Sequence, residues 1–185
     1  LQGHTDVPLN QVGRDQADRL GKRLSAVEID AAYCSDLARC TQTLEVALGA
    51  REVSVSFSQQ LREQAYGRWE GKSFLEIEAA EPDLYAEMIS GYNTFTPPEG
   101  ESFRQVEARV TSFAEETRDR HPSGALLIVG HGAALRALIA SMVGLPLEMS
   151  WRFRLESCSL TILDVGADAA VLELLNDTSH LGRDT

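Results

Sequence analysis

The sequence predicts a three-layer α/β/α domain with a mainly parallel sheet. Segments typical of strands and of helices alternate along the chain. The most apolar strand candidate, residues 125–129, is apolar at every position, as expected for a parallel strand covered on both faces. The length of 185 residues and the absence of a linker-like stretch favour a single domain.

The net charge and the cysteine count exclude several classes of protein. Lys and Arg number 17 and Asp and Glu 28, so the formal charge is −11. Such a chain lacks the positive field that attracts nucleic acids and anionic lipids, and no apolar run reaches the roughly 20 residues of a membrane span. We therefore expect neither nucleic acid nor membrane as a partner. Three cysteines, in apolar or helical surroundings, favour reduced thiols and a cytoplasmic protein.

The first part of the chain predicts two strand-to-helix units. Apolar positions at helical spacing predict a helix over residues 11–24. A short buried strand over residues 31–35 and a helix over residues 36–48 follow, with Gly49 at the end of that helix. Alternation over residues 53–57 predicts a half-buried strand. The following loop, residues 61–71, contains two glycines and two aromatic residues.

The remaining part predicts helices before a strongly apolar strand. Two helical stretches over residues 74–90 lead to a Pro-Pro turn, and a long amphipathic helix over residues 101–120 comes next. The strand over residues 125–129 should be covered on both faces, and a helix over residues 133–143 follows it. Two last strands, residues 159–165 and 170–175, predict a hairpin whose turn includes Asp168.

The candidate catalytic and binding residues lie just beyond the carboxyl ends of the predicted strands, where open parallel sheets bind ligands. His131 stands between two glycines at the start of a helix, whose free N–H groups favour an anion; the alternative is a buried histidine satisfied by backbone groups. Arg39 lies in the first turn of a helix, where a cation is favourable only beside a bound anion. The alternative for Arg39 is a surface arginine paired with Asp36 or Glu63.

Two acidic residues and the other histidines complete the candidates. Glu63 follows a strand and could serve as a general acid, with a solvated surface carboxylate as the alternative. Glu70 is expected to cap the helix that begins near residue 74. His4, His121 and His180 show no ligand spacing with His131, so we expect no metal site.

Cys34 invites comparison with tyrosine-phosphatase-type loops, in which an arginine stands six positions after the cysteine. That position holds Cys40 in this chain, and Arg39 falls one residue short. The sequence therefore excludes this kind of nucleophile.

Five motifs, taken in order and spacing, resemble one family. They are residues 2–10 with Gly13 and Gln16-Ala17, Ser35-Asp36-Leu37 with Arg39 and Thr43, Leu61-Arg62-Glu63 with Tyr66-Gly67 and Trp69-Glu70-Gly71, Gly100-Glu101-Ser102, and Gly130-His131-Gly132. The family is the histidine phosphatase superfamily, which includes the cofactor-dependent phosphoglycerate mutases and many small phosphomonoesterases. The resemblance runs nearly end to end and implies a phosphoglycerate mutase-like form of the predicted fold.

One family motif is absent from these 185 residues. The Arg-His-Gly triplet, whose histidine becomes phosphorylated, precedes the Gln-Gly loop at the end of the first strand in the family. We therefore expect residues 1–185 to form one histidine-phosphatase-type domain that lacks its first strand and nucleophile loop. These residues alone should be inactive.

The resemblance implies catalytic roles for Arg39, Glu63 and His131. The missing histidine attacks phosphorus, Glu63 protonates the leaving oxygen and then activates water, and Arg39 with a protonated His131 holds the phosphoryl oxygens. The positions that the resemblance places on the substrate side of the pocket are Gln2, Gly3, Gln64, Ala65, Tyr66 and Gly132. It implies neither a metal nor another cofactor.

The expected function is hydrolysis of a small phosphate ester through a phosphohistidine, with inorganic phosphate as product and a homodimer as the assembly. A phosphoglycerate mutase is the less favoured alternative, because residues 72–99 lack an insertion rich in basic residues. An inactive binding module is the third candidate, although retention of Arg39, Glu63 and His131 argues against it. Residues 74–96 should decide the substrate.

Overall fold

The computed structural model describes residues 1–167 and 169–182 and confirms the mixed α/β fold with a parallel sheet. The helices and strands, in chain order, are α1 (Gln11–Leu24), β1 (Ala31–Cys34), α2 (Ala38–Leu48), β2 (Ser54–Phe57), α3 (Phe74–Ala80), α4 (Pro82–Ser90), α5 (Phe103–Arg120), β3 (Leu126–Val129), α6 (Gly132–Met142), β4 (Leu160–Val165) and β5 (Ala170–Asp177). Short 3₁₀ turns cover Gln59–Leu61, Gly67–Trp69, Leu147–Arg152 and Ser179–Leu181. Among the described helices, none is long and apolar enough to cross a membrane.

The sheet brings three strand ends to one level. Its order is β2-β1-β3, with both pairings parallel. Cys34, the last residue of β1, stands opposite Phe57 of β2 and Val129 of β3. The chain segments that leave these three strands therefore start side by side. β4 and β5 form a separate antiparallel pair, as the hairpin prediction requires, while Asp168 of the predicted turn lies outside the described residues.

Helices pack on both faces of the parallel sheet because side chains alternate along each strand. On one face, Ala32 and Cys34 of β1 contact Leu44 of α2 within an apolar cluster. On the other face, Tyr33 of β1 packs with Phe113 of α5. α1 packs against α2, and α5 packs against α6. This arrangement has the three layers that the sequence predicts.

One burial prediction is wrong, and it concerns the edge strand β2. All four residues of β2 are exposed, with Phe57 58% exposed, although the alternating pattern predicts a half-buried strand. β3 is covered on both faces as predicted, since Leu127 and Val129 pack on the α2 side and Ile128 packs with Phe113 of α5, but its residues are only partly buried. Both strands lie at an edge of the three-stranded sheet, where each has one neighbouring strand instead of two.

Candidate active site

The segments that follow β1, β2 and β3 supply Arg39, Glu63 and His131, respectively. Arg39 lies in the first turn of α2, Glu63 follows the turn Gln59–Leu61, and His131 is the N-cap residue of α6. Because the strand ends are level, all three residues reach the same edge of the sheet.

Arg39 binds dipoles instead of carboxylates. Its Nε donates to Nδ1 of His131 (3.1 Å), Nη1 donates to the carbonyl oxygen of Thr5 (3.0 Å), and Nη2 donates to that of Gly3 (2.7 Å). None of the ion pairs formed within the described residues includes Arg39. The predicted alternative, a pair with Asp36 or Glu63, is therefore wrong, and the guanidinium keeps its full charge.

His131 is a buried, neutral ring. Only 7% of the residue is exposed, Nδ1 accepts from Arg39, and Nε2 lies 2.8 Å from Ser35 Oγ and 3.3 Å from Cys40 Sγ. Burial, together with the adjacent Arg39 guanidinium, lowers the pKa of His131 to about 3. The ring partners are side chains, so the predicted alternative of a histidine satisfied by backbone groups is also wrong.

Glu63 is attached to the N-terminus of α6. Its Oε1 accepts from the amides of Ala133 (3.0 Å) and Gln64 (2.9 Å). A Cβ atom built on Gly132 would lie 3.8 Å from Glu63 Oε2, so this glycine borders the carboxylate closely without a side chain. Nε2 of His4 lies 2.8 Å from the carbonyl oxygen of Glu63. The carboxylate thus lies against the first turn of α6, the helix for which His131 is the N-cap residue.

Two ion pairs hold the segment that carries Glu63. Arg62 binds Asp36 through two hydrogen bonds of 2.7 and 2.5 Å, and this contact is the first cause of a lowered pKa of Asp36. Arg109 donates to the carbonyl oxygen of Glu63 (3.0 Å) and pairs with Glu101 (2.7 Å). The Gly-Glu-Ser motif pointed to Glu101, whereas no sequence signal pointed to Arg109, which lies eight residues further along a helix.

The predicted substrate-side residues divide into three groups. Gly3 contacts Arg39, and Gly132 borders Glu63. Gln64 is 3% exposed and its Nε2 donates to the carbonyl oxygen of Glu101 (2.9 Å), while its Oε1 is buried and has no partner. The remaining three make backbone contacts: Gln2 O accepts from Thr5 N (3.0 Å), Ala65 N donates to Glu101 (3.0 Å), and Tyr66 N donates to Glu70 (3.2 Å).

Glu70 does not cap α3, contrary to the prediction. Ser73 and Glu76 form a reciprocal capping box at that helix. The carboxylate of Glu70 instead accepts from His4 N (2.8 Å), from Thr5 N (2.8 Å) and Oγ1 (2.6 Å), and from the amide of Tyr66. Burial acts to raise the pKa of Glu70, but these hydrogen bonds outweigh it and lower the value. Glu70 thereby fixes the loop that carries the Arg39 acceptors.

This arrangement can hold an oxyanion and move a proton. Arg39 supplies an unneutralised positive charge beside His131, and Glu63, which accepts from the amide of Ala133 at the start of α6, supplies a carboxylate. Within residues 1–167 and 169–182, no group of three or more His, Cys, Asp or Glu side chains is placed to hold a metal ion.

Two curated proteins resemble this chain over most of their length. The adenosylcobalamin/alpha-ribazole phosphatase of Escherichia coli strain K12 is 29% identical over 174 residues, which are 94% of this chain and 86% of that protein. The protein of Escherichia coli O1:K1 named "Probable phosphoglycerate mutase GpmB" is 31% identical over 186 residues, covering 98% of this chain and 86% of that protein.

A solved structure and a family model agree with these relatives. Bacillus stearothermophilus YhfR superposes with a TM-score of 0.91 at 34% identity, covering 98% of this chain and 91% of that chain. The model of the histidine phosphatase superfamily (branch 1) matches residues 1–178. The chain therefore belongs to the histidine phosphatase superfamily and is an enzyme of that superfamily.

Proposed function

We propose that the protein hydrolyses a small phosphate monoester through a phosphohistidine intermediate. The observation that carries this proposal is the contact between Arg39 and His131 beside Glu63, in which Arg39 keeps its charge. The phosphoryl group binds to Arg39 and His131, and Glu63 protonates the leaving oxygen. Glu63 then removes a proton from the water that cleaves the phosphohistidine.

The nucleophile in this proposal lies on a segment outside these residues. None of the four histidines of the sequence stands in an Arg-His-Gly triplet. The free edge of β3 supports this assignment, because an apolar edge strand can pair with one more strand. A parallel strand there would end next to Val129, level with the start of the His131 segment.

Hydrolysis is favoured over mutase activity by the charge of the segment between the third and fourth motifs. Residues 72–99 include α3 and α4, and Lys72 is the one basic residue of this segment in the sequence. A mutase must hold a bisphosphate and keep water from the phosphoenzyme, which requires additional cations and closure. Conversion of 3- to 2-phosphoglycerate without phosphate release would reverse this choice.

The role of Glu63 can be tested with leaving groups of different basicity. We expect Glu63→Gln to lower kcat about 10²- to 10⁴-fold for alkyl phosphates, which need a proton on the leaving oxygen. The loss for p-nitrophenyl phosphate should be much smaller, because nitrophenolate leaves unprotonated. Glu78→Gln, at an exposed position of α3, is the matched control and should change neither rate. Equal losses on both substrates would exclude Glu63 as the acid.

The position of the nucleophile requires a second comparison. The 185-residue chain should form no acid-labile phosphohistidine, whereas a chain extended by its native upstream residues should form one and release phosphate. Turnover by the 185 residues alone would refute this mechanism.

We also infer that two copies of the chain associate along β2. Residues 53–61 carry no charged side chain, although 24% of the chain is charged. Val55 and Phe57 are exposed there, next to a cleft lined by Leu44 and Leu48. Two copies with a charge of −11 each repel one another over most of their surface, and an uncharged strand edge reduces that repulsion where they approach.

A further inference from the structure

Glu63 is bound to both α5 and α6, two helices that pack against each other. Its carboxylate lies against the first turn of α6, where Oε1 accepts from the amide of Ala133 (3.0 Å). Its backbone is bound from the other helix, because Nη2 of Arg109 on α5 donates to the carbonyl oxygen of Glu63 (3.0 Å). The direction of the Glu63 side chain therefore depends on how the two helices hold its two ends.

Arg109 holds the chain on both sides of Glu63. Its Nη1 donates to the carbonyl oxygen of Gln60 (2.6 Å), in the turn that precedes Glu63. Its Nη2 and Nε donate to the two carboxylate oxygens of Glu101 (2.7 and 3.2 Å), and Glu101 accepts from the amide of Ala65 (3.0 Å). The side chains of Arg109 and Glu101 are each only 18% exposed, so solvent weakens this pair little.

The two carboxylate oxygens of Glu63 differ in their partners. Oε1 accepts from the amides of Ala133 (3.0 Å) and Gln64 (2.9 Å). Among the described residues, Oε2 has a single hydrogen-bonding contact, of 3.4 Å, with the amide of Ala133. Two amide donors favour negative charge on Oε1, so a proton on this carboxyl group is carried by Oε2. Transfer of that proton to a leaving oxygen requires Oε2 to point in a fixed direction.

We propose that Arg109 is a positioning residue that directs Oε2 of Glu63 toward the leaving oxygen of the substrate. The inference rests on the proposed function, in which Glu63 is the general acid. Arg109 acts through the backbone of residues 60–65, which it holds at a fixed distance from α6. A planar guanidinium can bind two carbonyl oxygens and both oxygens of a carboxylate at once, whereas the ammonium group of a lysine cannot.

Arg109→Lys tests this role without changing the charge. Burial lowers the pKa of His131 most, and the guanidinium charges of Arg39 and Arg109 lower it further, so the substitution must keep the charge at position 109. In the chain with its upstream residues, we expect kcat for an alkyl phosphate to fall about 10- to 10²-fold. The loss for p-nitrophenyl phosphate should be much smaller, because its leaving group needs no proton.

Anion binding should be separate from this effect. Arg39 and His131 keep their mutual contact in Arg109→Lys, so sulfate affinity, measured by titration calorimetry, should change by less than about twofold. Arg104→Lys is the matched control, because Arg104 lies at an exposed position of the same helix and pairs with Glu148 (2.9 Å). It should change neither kcat value.

Two further variants show through which group Arg109 acts. In a Glu63→Gln background, Arg109→Lys should cause no further loss of kcat for the alkyl phosphate, since the acid that it positions is already absent. Glu101→Gln removes the carboxylate that pairs with Arg109 and should show the same dependence on the leaving group. It also carries the comparison if circular dichroism shows that Arg109→Lys does not fold.

Each outcome decides one question. An unchanged kcat, equal losses on both substrates, or losses that multiply in the Glu63→Gln background would overturn the positioning role. The proposed function survives any of these results as long as Glu63→Gln itself distinguishes the two substrates. If Glu63→Gln lowers both rates equally, the acid assignment fails, and the positioning role fails with it.

Discussion

Three arginines near one end of the sheet differ in what neutralises them. Arg62 and Arg109 are paired with Asp36 and Glu101, and both hold the backbone or the loop near Glu63. Arg39 instead contacts two carbonyl oxygens and a neutral ring. An arginine paired with a half-buried carboxylate holds its segment in place, whereas an arginine whose partners are all neutral can still attract an anion.

The protonation of His131 should change when an anion binds. The ring is neutral in the structure, with a pKa of about 3, and a bound dianion favours the imidazolium. Anion binding therefore takes up a proton at pH values between the pKa of His131 in the free protein and its higher pKa in the complex. Within this pH range, the affinity for the anion falls as pH rises. Sulfate, which does not titrate near neutrality, should bind about tenfold more weakly per pH unit between about pH 5 and pH 7.

Calorimetry in buffers of different ionisation enthalpy measures this proton uptake. His131→Gln should bind sulfate weakly and without the pH dependence. A pH-independent sulfate affinity of the unsubstituted protein would show that His131 stays neutral in the complex.

At the scale of elements, the positions of loops depend on close backbone contacts that no side-chain pattern in the sequence predicts. Gly67 has φ +53° at the start of the turn Gly67–Trp69, and the amide of Arg68 donates to the carbonyl oxygen of Pro98 (3.1 Å). A Cβ atom on Gly67 would overlap that oxygen and lie 2.5 Å from the carbonyl carbon of Glu99. The turn can approach residues 97–100 because position 67 has no side chain.

Gly67→Ala should destabilise the fold more than Gly71→Ala. Both glycines have positive φ values, of +53° and +82°, so alanine costs about 1 kcal/mol of backbone strain at either position. A Cβ atom on Gly71 meets nothing within 4 Å, so only Gly67→Ala adds the overlap with backbone atoms. We expect its free energy of unfolding to fall at least about 2 kcal/mol further, measured by urea denaturation. Equal losses would mean that residues 97–100 move aside freely.

Whether a segment is a helix or a strand follows from the sequence more readily than where it begins and which residues its side chains contact. Helical spacing predicts α1 with the observed limits, Gln11–Leu24, because its apolar side has one simple period. α5 begins at Phe103, two residues later than expected, since Ser102 and Gln105 form a capping box. The cap assigned to Glu70 is wrong because its partners, the amides of His4 and Thr5, are distant in sequence.

In the candidate site, too, the sequence predicts individual residues but not their contacts with residues distant in sequence. Arg39, Glu63 and His131 stand out because strand ends and flanking glycines mark them, and the structure brings their segments to one edge. Ser35 and Arg109 hold His131 and Glu63 through contacts across 96 and 46 positions of sequence. Such contacts exist only once the sheet has aligned its strand ends, so local patterns do not contain them.

At the scale of the whole molecule, charge is distributed unevenly along the surface. The chain carries −11 overall, yet the edge strand β2 and its flanks, residues 53–61, are uncharged. Native edge strands commonly carry charged residues that prevent pairing with other chains. β2 lacks that protection, which supports association of two copies.

A lysine on β2 should prevent this association. Sedimentation velocity over micromolar concentrations should show a dimer of the unsubstituted chain and a monomer of Val55→Lys, since two like charges would meet at the strand edge. Leu75→Lys, at a 77% exposed position of α3, should leave the dimer intact. Circular dichroism checks that both variants fold. A monomeric unsubstituted chain, or a dimeric Val55→Lys, would refute the assembly.

The carbonyl oxygens of Gly3 and Thr5 also affect how an anion leaves. Both accept from Arg39, and Glu70 keeps their loop in place through the amides of His4 and Thr5. In the proposed function, we expect an anion that binds Arg39 to exchange with acceptors that belong to the protein itself and remain nearby at high effective concentration. These acceptors return as the anion begins to dissociate, so we expect them to compete with the product phosphate and to shorten the time that it stays bound.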